Sequence, residues 1–441
     1  MTTGAGLPGP QLSVAAEDAW GTGQDLGTSQ KDIDARLARF NLTRDARDLW
    51  PDISVSSFRV AERTLADALG AVLRGREAVA LECPAGTSLR ALGVAATTAG
   101  VGALVGYWIE TRALVAEPAL AALFANHLAH GRRRADRLRR AFEPVLEAFA
   151  ERGVEVLVFK GCHTSAAYFP DPGTKITSDV DVLVRSEDLP LAQRVLAQLG
   201  FEERHDARAP EQSSWSLPGT RAIRALDFTH AESAWSIDLH DSIERIPFGG
   251  MTTTLGTPDL ARAPVWTHFS RPVRVLPEPL LLAYLAAHTS SHFYAIPQIR
   301  LVELVLVAQR DFAGQPERWR AFQELLQTTG TARFVFPALD LAERFVPGSI
   351  DAHVLRSVEA LTPRRLRRLV LATQPAWGQR LHPFPGLRAR FVWVASPREA
   401  LAALRWLAWP QASGSWWEAL GAQVRRLRRV LRRIVPVRVA R

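Results

Sequence analysis

The chain contains only two cysteines, Cys83 and Cys162, among its 441 residues. Two cysteines cannot form the disulfide framework of a small secreted protein, and they show no zinc-ligand spacing. The first residues also lack the basic start and apolar run of a secretory signal. We therefore expect a protein of the reducing cytoplasm.

Long uncharged apolar runs are also scarce. Residues 91–108 carry no charge, but they are rich in alanine, glycine and threonine. This composition favours a buried helical hairpin over a membrane span. A hydrophobic content of 47% and a length of 441 residues are typical of a globular protein with two or three domains.

Positive charge is concentrated at one end of the chain. Eight of the nine net positive charges lie in residues 424–441, which contain eight arginines and no acidic residue. Val424, Leu427, Leu431 and Ile434 recur at helical spacing, so this tail is predicted to be a basic amphipathic helix. Such a helix would contact a polyanion, an acidic partner or a membrane surface, or pack its apolar stripe on the same protein.

Lysine is rare, with three residues against 51 arginines. Two of the three, Lys160 and Lys175, flank one short segment. The lysine ammonium is a compact point charge that suits a phosphate group. Their placement favours phosphate binding, although a solvated turn lysine explains Lys175 equally well.

The same segment contains two aspartates in an apolar run. Residues 178–184 read Ser-Asp-Val-Asp-Val-Leu-Val. Asp179 and Asp181 are two residues apart, so in a strand their carboxylates lie on one face. Mg²⁺ is usually held by one or two carboxylates together with substrate phosphates. The alternative is a solvated strand edge.

Apolar periodicity and turn residues predict five parts of the chain. These are a disordered segment 1–45, a helical lobe 46–150, an α/β core 151–250, a helical lobe 265–345 and a helical C-terminal region 346–441 with the basic tail. Strands are predicted near 154–159, 176–184, 225–228 and 235–240, and a helix at 190–199. The helix before Gly153 contains Pro144, which is expected to kink it or to mark its start.

Several motifs follow one another in a fixed order. Lys160-Gly161 follows a strand, a turn runs from Tyr168 to Gly173, and Lys175 precedes the Asp179-x-Asp181 pair by four residues. Later come Asp238-Leu239-His240, then His288 and His292 near Arg300-Leu301. Over residues 100–308 this order resembles the uncharacterised nucleotidyltransferases of the DNA polymerase β-like superfamily.

The resemblance implies an α+β fold, in which an α/β nucleotidyltransferase core with a mixed sheet is flanked by helical N- and C-terminal regions. It implies Mg²⁺-dependent transfer, with Mn²⁺ as the alternative metal, of AMP from ATP or of another nucleoside monophosphate from its triphosphate. The acceptor hydroxyl would belong to a small molecule, a peptide, a protein or an RNA. The metal-binding and catalytic residues would be Asp179, Asp181 and Asp238, and the nucleotide-binding residues Lys160, Gly161, Lys175, Ser178 and His240.

One departure from the superfamily supports a second hypothesis. The first turn reads Gly161-Cys162, where Gly-Ser or Gly-Gly is usual, so Thr164 or Ser165 would have to supply the missing hydroxyl. A degenerate, non-catalytic nucleotide-binding module that acts through a partner would tolerate this change. Retention of all three aspartates favours an enzyme. The enzymatic hypothesis requires that the three carboxylates converge and that Lys160 faces the same cleft.

Overall fold

The structure is a computed structural model. It describes residues 30–43, 48–204, 213–218, 228–243, 246–248, 251–293, 296–376 and 391–408. The predicted basic helix at 424–441 lies outside these ranges, as do residues 225–227 of one predicted strand.

The first part of the chain is mainly helical. Ser54 and Ser88 each accept a hydrogen bond from a backbone N–H three residues ahead, which starts the helices that follow them. The elements are α1 (Gln30–Thr43), α2 (Val55–Leu73), β1 (Val79–Leu81), α3 (Leu89–Ala99), α4 (Gly102–Glu110), β2 (Leu114–Ala116) and α5 (Pro118–Glu151).

Helix α1 corrects part of one prediction. It lies inside the segment 1–45, which the sequence predicts to be disordered, and for residues 30–43 that prediction is wrong. Ile33 is buried, and Leu37 and Phe40 pack beside it on the main hydrophobic core. Their spacing of four and three residues places all three side chains on one helical face.

Helices α3 and α4 form the predicted buried hairpin. Gly100, with φ of 72°, ends α3 in the left-handed conformation that glycine adopts without strain. Of the described helices, none alone is long and apolar enough to cross a membrane. The pair α3 and α4 has the required length and composition only when taken together, and it is bent by 112°.

Helix α5 is 34 residues long and continues through Pro144, so this proline does not mark its start. His127 of α5 packs against Gly102 of α4. A Cβ atom at residue 102 would lie 2.5 Å from Nδ1 of His127, so glycine is required at this crossing. His127 is 3% exposed, and its Nε2 has no hydrogen-bond partner.

The central part of the chain forms a mixed seven-stranded sheet. The elements of this part of the chain are β3 (Leu157–Phe159), α6 (Gly161–Ala167), β4 (Asp179–Leu183), α7 (Leu189–Gln198), β5 (Glu202–Arg204), β6 (Ser213–Ser216), β7 (Ser236–His240), β8 (Ile246–Phe248), β9 (Met251–Thr253), β10 (Val265–Trp266) and β11 (Val273–Arg274). Strands β8 and β9 pair with each other outside the seven-stranded sheet. The strand order is β10-β11-β3-β4-β7-β6-β5. The pairs β11–β3 and β4–β7 are parallel and the others antiparallel.

The two faces of the sheet join different cores because side chains alternate along each strand. One face packs on the C-terminal half of α5 and on α7, through Val158, Val180, Val182, Ile237 and Leu239. The other face contributes Leu157, Phe159 and Leu183 to a core shared with the N- and C-terminal helices. Because side chains alternate along β4, Asp179 and Asp181 lie on the same face as Leu183, which is the face toward the C-terminal helices.

The chain then returns to helices, as predicted. These are α8 (Glu278–Ser291), α9 (Gln298–Val307), α10 (Pro316–Thr329), α11 (Ala332–Phe345), α12 (Ala352–Ala360), α13 (Arg364–Leu371) and α14 (Pro397–Ala408), with a π-helical turn at Ala308–Phe312. The predicted α+β class with flanking helices is confirmed. The five-part domain division stays a prediction.

The buried His127 is expected to make the fold sensitive to acid. Burial and the neighbouring His130 lower the pKa of His127 to about 4. A lowered folded-state pKa gives stability that is complete above the unfolded value and is lost as the pH falls toward 4. Between pH 7.5 and 5.0 we expect His127 to account for a loss of about 2 kcal/mol in the free energy of unfolding.

Urea unfolding at both pH values measures this loss. His127→Leu should reduce the pH dependence by about this amount, since leucine is apolar and does not titrate. An unchanged pH dependence in the variant would show that His127 is not the group responsible.

Candidate active site

Three carboxylates converge on two neighbouring parallel strands. Asp179 and Asp181 lie on β4, and Asp238 lies on β7 directly opposite Asp181. Oxygen atoms of all three carboxylates lie within 4.8 Å of one another. Among the described residues, no other group of three histidine, cysteine or acidic side chains has this arrangement. The predicted convergence is therefore confirmed.

Asp181 is fixed by two neighbours and keeps one oxygen free. Its Oδ1 accepts a hydrogen bond from Nζ of Lys160 at 2.6 Å and lies 3.2 Å from Nε2 of His240. Its Oδ2 is buried without a hydrogen-bond partner. Burial alone would raise the pKa of Asp181, but Lys160 and His240 hold it below its ordinary value. The site therefore contains an ionised carboxylate with an unused oxygen.

The other two carboxylates carry the opposite pKa shift. Burial and the charges of Asp181 and Asp238 raise the pKa of Asp179 to about 6. Burial and Asp181 also raise the pKa of Asp238, although hydroxyl groups of Ser214 and Ser236 hydrogen-bond to its carboxylate. Close negative charges disfavour one another's ionised forms.

These features fit a divalent cation. A buried oxygen without a partner and three mutually repelling carboxylates form a site that a positive ion would stabilise. Carboxylate oxygens are the ligands that Mg²⁺ and Mn²⁺ prefer. Asp179, Asp181 and Asp238 are the residues that would hold the ion.

Lys160 faces the same cleft, as predicted, and acts there as the counter-ion of Asp181. It follows β3 with φ of 44° and ψ of −135°, a left-handed conformation that is strained for a residue other than glycine. Burial alone would lower the pKa of Lys160, but the charges of Asp181 and Asp179 outweigh it and raise the pKa.

Gly161 lets α6 approach the start of β4. A Cβ atom at this position would lie 3.2 Å from Cγ2 of Thr177, which is tighter than an ordinary contact. Next to it, burial raises the pKa of the Cys162 thiol to about 12, so this cysteine stays protonated and is no nucleophile. The predicted nucleotide contact of Gly161 stays a prediction.

Lys175 forms a buried ion pair that the sequence did not predict. Its Nζ bonds to Oε1 of Glu303 on α9 and, at 2.6 Å, to Oγ1 of Thr164. Thr164 also donates to Glu303, and the hydroxyl of Ser165 donates to the carbonyl of Cys162 at 3.0 Å. Both hydroxyls that could replace the missing serine are therefore engaged within the protein.

Two further predicted residues lie beside the carboxylates. Oγ of Ser178 is 3.5 Å from Oδ1 of Asp179. The ring of His240, besides contacting Asp181, packs edge-on against Phe159 at 5.2 Å between centroids. Their nucleotide contacts, like those of Lys160 and Lys175, stay predictions.

Helix α8 lines the cleft with a row of rings. Tyr284 stacks on His288 at 6.0 Å, and His288 meets His292 edge-on at 5.2 Å. Burial and the charges of Lys160 and Arg300 hold the pKa of His288 well below its ordinary value. Burial and Arg300 lower the pKa of His292 to about 4. Both rings are therefore neutral at pH 7.

Arg134 of α5 is a residue of the site that sequence reasoning missed. It is 2% exposed and donates to three carbonyls, those of Thr177 at 2.7 Å, Ser233 at 2.6 Å and Ala234 at 3.1 Å. These carbonyls precede β4 and β7 by two to three residues. Arg134 thus ties together the beginnings of the two strands that carry the carboxylates.

Comparison with known proteins gives one match. The sequence model of a family described as "Uncharacterised nucleotidyltransferase" matches residues 89–347. No curated protein and no solved structure matches the chain. The match covers more than half of the chain and includes both carboxylate strands, Lys160, and helices α8 and α9. The chain therefore belongs to the uncharacterised nucleotidyltransferase family.

Proposed function

We propose that this protein is a cytoplasmic, Mg²⁺-dependent nucleotidyltransferase that moves AMP from ATP to an acceptor hydroxyl. Mn²⁺ is the alternative metal, and other nucleoside triphosphates are alternative donors. One observation carries the proposal. Oxygen atoms of three carboxylates from two neighbouring strands lie within 4.8 Å of one another, with the ammonium of Lys160 beside them.

The proposed chemistry assigns each side chain a task. A divalent cation held by the three carboxylates would neutralise phosphate charge and ease deprotonation of the acceptor hydroxyl. Lys160 and His240 hold Oδ1 of Asp181, which leaves Oδ2 for the ion. Asp238, whose pKa is raised by burial and by Asp181, would take the acceptor's proton.

A second candidate function is a non-catalytic nucleotide-binding module. The observation that favours it is the turn at Gly161-Cys162. The hydroxyls of Thr164 and Ser165 are both used within the protein, and both lysines of the segment are already paired. Such a module would bind a nucleotide and act through a partner without catalysing a reaction.

Label transfer separates the two candidates. The purified protein is incubated with a small-molecule and macromolecule extract, Mg²⁺, and ATP labelled either at the α- or at the γ-phosphate. The enzyme should transfer α-label but not γ-label to an acceptor, and EDTA should abolish the transfer. Nucleotide binding without transfer, with either Mg²⁺ or Mn²⁺, would favour the module.

The acceptor class follows from the same experiment. Sensitivity of the labelled product to protease, to ribonuclease or to neither assigns the acceptor to protein and peptide, to RNA or to small molecules. The basic tail at 424–441 remains a proposed contact for a polyanion, an acidic partner or a membrane surface.

A further inference from the structure

Among the described residues, four cations act on the carboxylates, and three of them are already engaged. Lys160 binds Asp181, Lys175 binds Glu303, and Arg134 donates to three backbone carbonyls. The fourth is Arg300, in the first turn of α9. Within the described part of the chain, its guanidinium makes no hydrogen bond and no ion pair, and its Nη1 is fully enclosed without a partner.

Arg300 lies one turn before Glu303 on α9, and Glu303 bonds to Lys175 and Thr164 from the segment that leads into β4. Its charge acts on Glu303, Asp179, Tyr284 and Asp181, and the guanidinium is half-buried rather than solvated. Glu303 does not satisfy it, since that carboxylate is bonded to Lys175 and Thr164. The neighbouring rings of His288 and His292 are neutral, and an imidazole ring is neutral or positive, so neither can balance the charge of Arg300.

An enclosed guanidinium N–H without an acceptor costs free energy, and most buried polar groups in proteins have a hydrogen-bond partner. The planar guanidinium binds phosphate oxygens in a bidentate manner, better than an ammonium does. A phosphate chain would supply the missing acceptors. It would also lie next to the carboxylates, as a metal-bound substrate requires.

We propose that Arg300 binds the polyphosphate chain of the donor nucleotide, in place of the two lysines that the sequence pattern favours for this task. The β- and γ-phosphates leave together as pyrophosphate when the α-phosphate forms its bond to the acceptor oxygen. Arg300 would then stabilise the negative charge that develops on the leaving group. This inference rests on the proposed function for the identity of the ligand.

Calorimetric titration with inorganic tripolyphosphate tests the assignment without requiring turnover. Arg300→Gln should weaken tripolyphosphate binding about 10- to 100-fold, as expected for loss of charge-assisted hydrogen bonds. Arg300→Lys should recover part of the loss. AMP, which lacks the β- and γ-phosphates, should bind wild type and Arg300→Gln equally.

Arg76→Gln is the matched control, because Arg76 is exposed and makes no described side-chain hydrogen bond or ion pair. It removes the same charge from another surface and should leave tripolyphosphate binding unchanged. Arg300→Gln should also melt at the same temperature as wild type or higher, because glutamine replaces a half-buried charge whose Nη1 has no partner. A clear loss of stability would assign Arg300 a structural role and overturn the inference.

The inference and the proposed function fail in different ways. If Arg300→Gln binds tripolyphosphate as wild type does, Arg300 is not the phosphate ligand, even where label transfer succeeds. If no α-label is transferred but tripolyphosphate binds and depends on Arg300, the phosphate site stands and the enzymatic proposal falls.

Discussion

Replacing Asp179 by asparagine is expected to stop nucleotidyl transfer and at the same time to stabilise the metal-free protein. Loss of a metal ligand removes several kcal/mol of transition-state stabilisation, so transfer should fall about 100- to 1,000-fold. In the absence of metal, however, Asp179 is repelled by Asp181 and Asp238, and its pKa is raised to about 6. Asparagine has nearly the same shape and no charge.

The stability gain has a defined pH dependence. A folded-state pKa raised above the ordinary value of 3.8 means that ionisation of Asp179 costs stability as the pH rises through 6. At pH 7.5 in EDTA, Asp179→Asn should therefore unfold with a free energy about 1–3 kcal/mol higher than wild type. At a pH below the ordinary value the difference should vanish.

Asp181→Asn is the contrasting variant, because Asp181 is the counter-ion of Lys160. Removing one partner of a buried pair leaves the other charge uncompensated, so this variant should lose about 3–5 kcal/mol of stability. Both variants should lose the rise in melting temperature that Mg²⁺ or Mn²⁺ gives wild type. Equal stability changes in the two variants would contradict the charge arrangement described for this site.

The carboxylate strands could be predicted because their signal is local. Two aspartates at a spacing of two in an apolar strand must share a face, whatever the rest of the chain does. Asp238 was predicted through the family resemblance, and the parallel pairing of β4 with β7 places it opposite Asp181. The helical lobes and the α/β core followed from local changes between helical and strand periodicity, whereas the α+β class with a mixed sheet followed from the family resemblance.

The partners of the charged residues could not be predicted, because each pair joins distant parts of the chain. Lys175 and Glu303 are 128 residues apart, and Arg134 and Ala234 are 100 residues apart. One arginine among 51 carries no sequence mark of being buried or unpaired. Rarity made the lysines conspicuous, but it gave no sign that each of them forms an ion pair, Lys160 with Asp181 and Lys175 with Glu303.

Disorder at 1–45 was predicted from a polar, glycine-rich composition that in fact belongs to the first 29 residues. The stripe of Ile33, Leu37 and Phe40 gives α1 an apolar face, and only the tertiary structure shows that the core has a surface to receive it. Short amphipathic helices are marginal alone and depend on such packing.

The second large effect is expected at Arg134, where lysine should not replace arginine. Lysine keeps the charge, but its single ammonium cannot reach three carbonyls that arginine contacts through Nε, Nη1 and Nη2. Buried carbonyls would lose their donors, so Arg134→Lys should lower the free energy of unfolding by about 2–4 kcal/mol. The loss of local stability should be largest at the first residues of β4 and β7.

Arg137→Lys provides the matched control. Arg137 lies one turn further along α5 and contacts the same loop through the carbonyls of Ala231 and Ser233 and through Glu232, but its side chain is 29% exposed. Its replacement should cost less than about 1 kcal/mol. Urea unfolding gives both values, and hydrogen exchange should show faster opening of residues 179–183 and 236–240 in Arg134→Lys alone.

Because those strands hold the three carboxylates in register, the same variant should bind Mg²⁺ more weakly. Unchanged exchange and metal affinity would mean that the strands keep their register without this arginine.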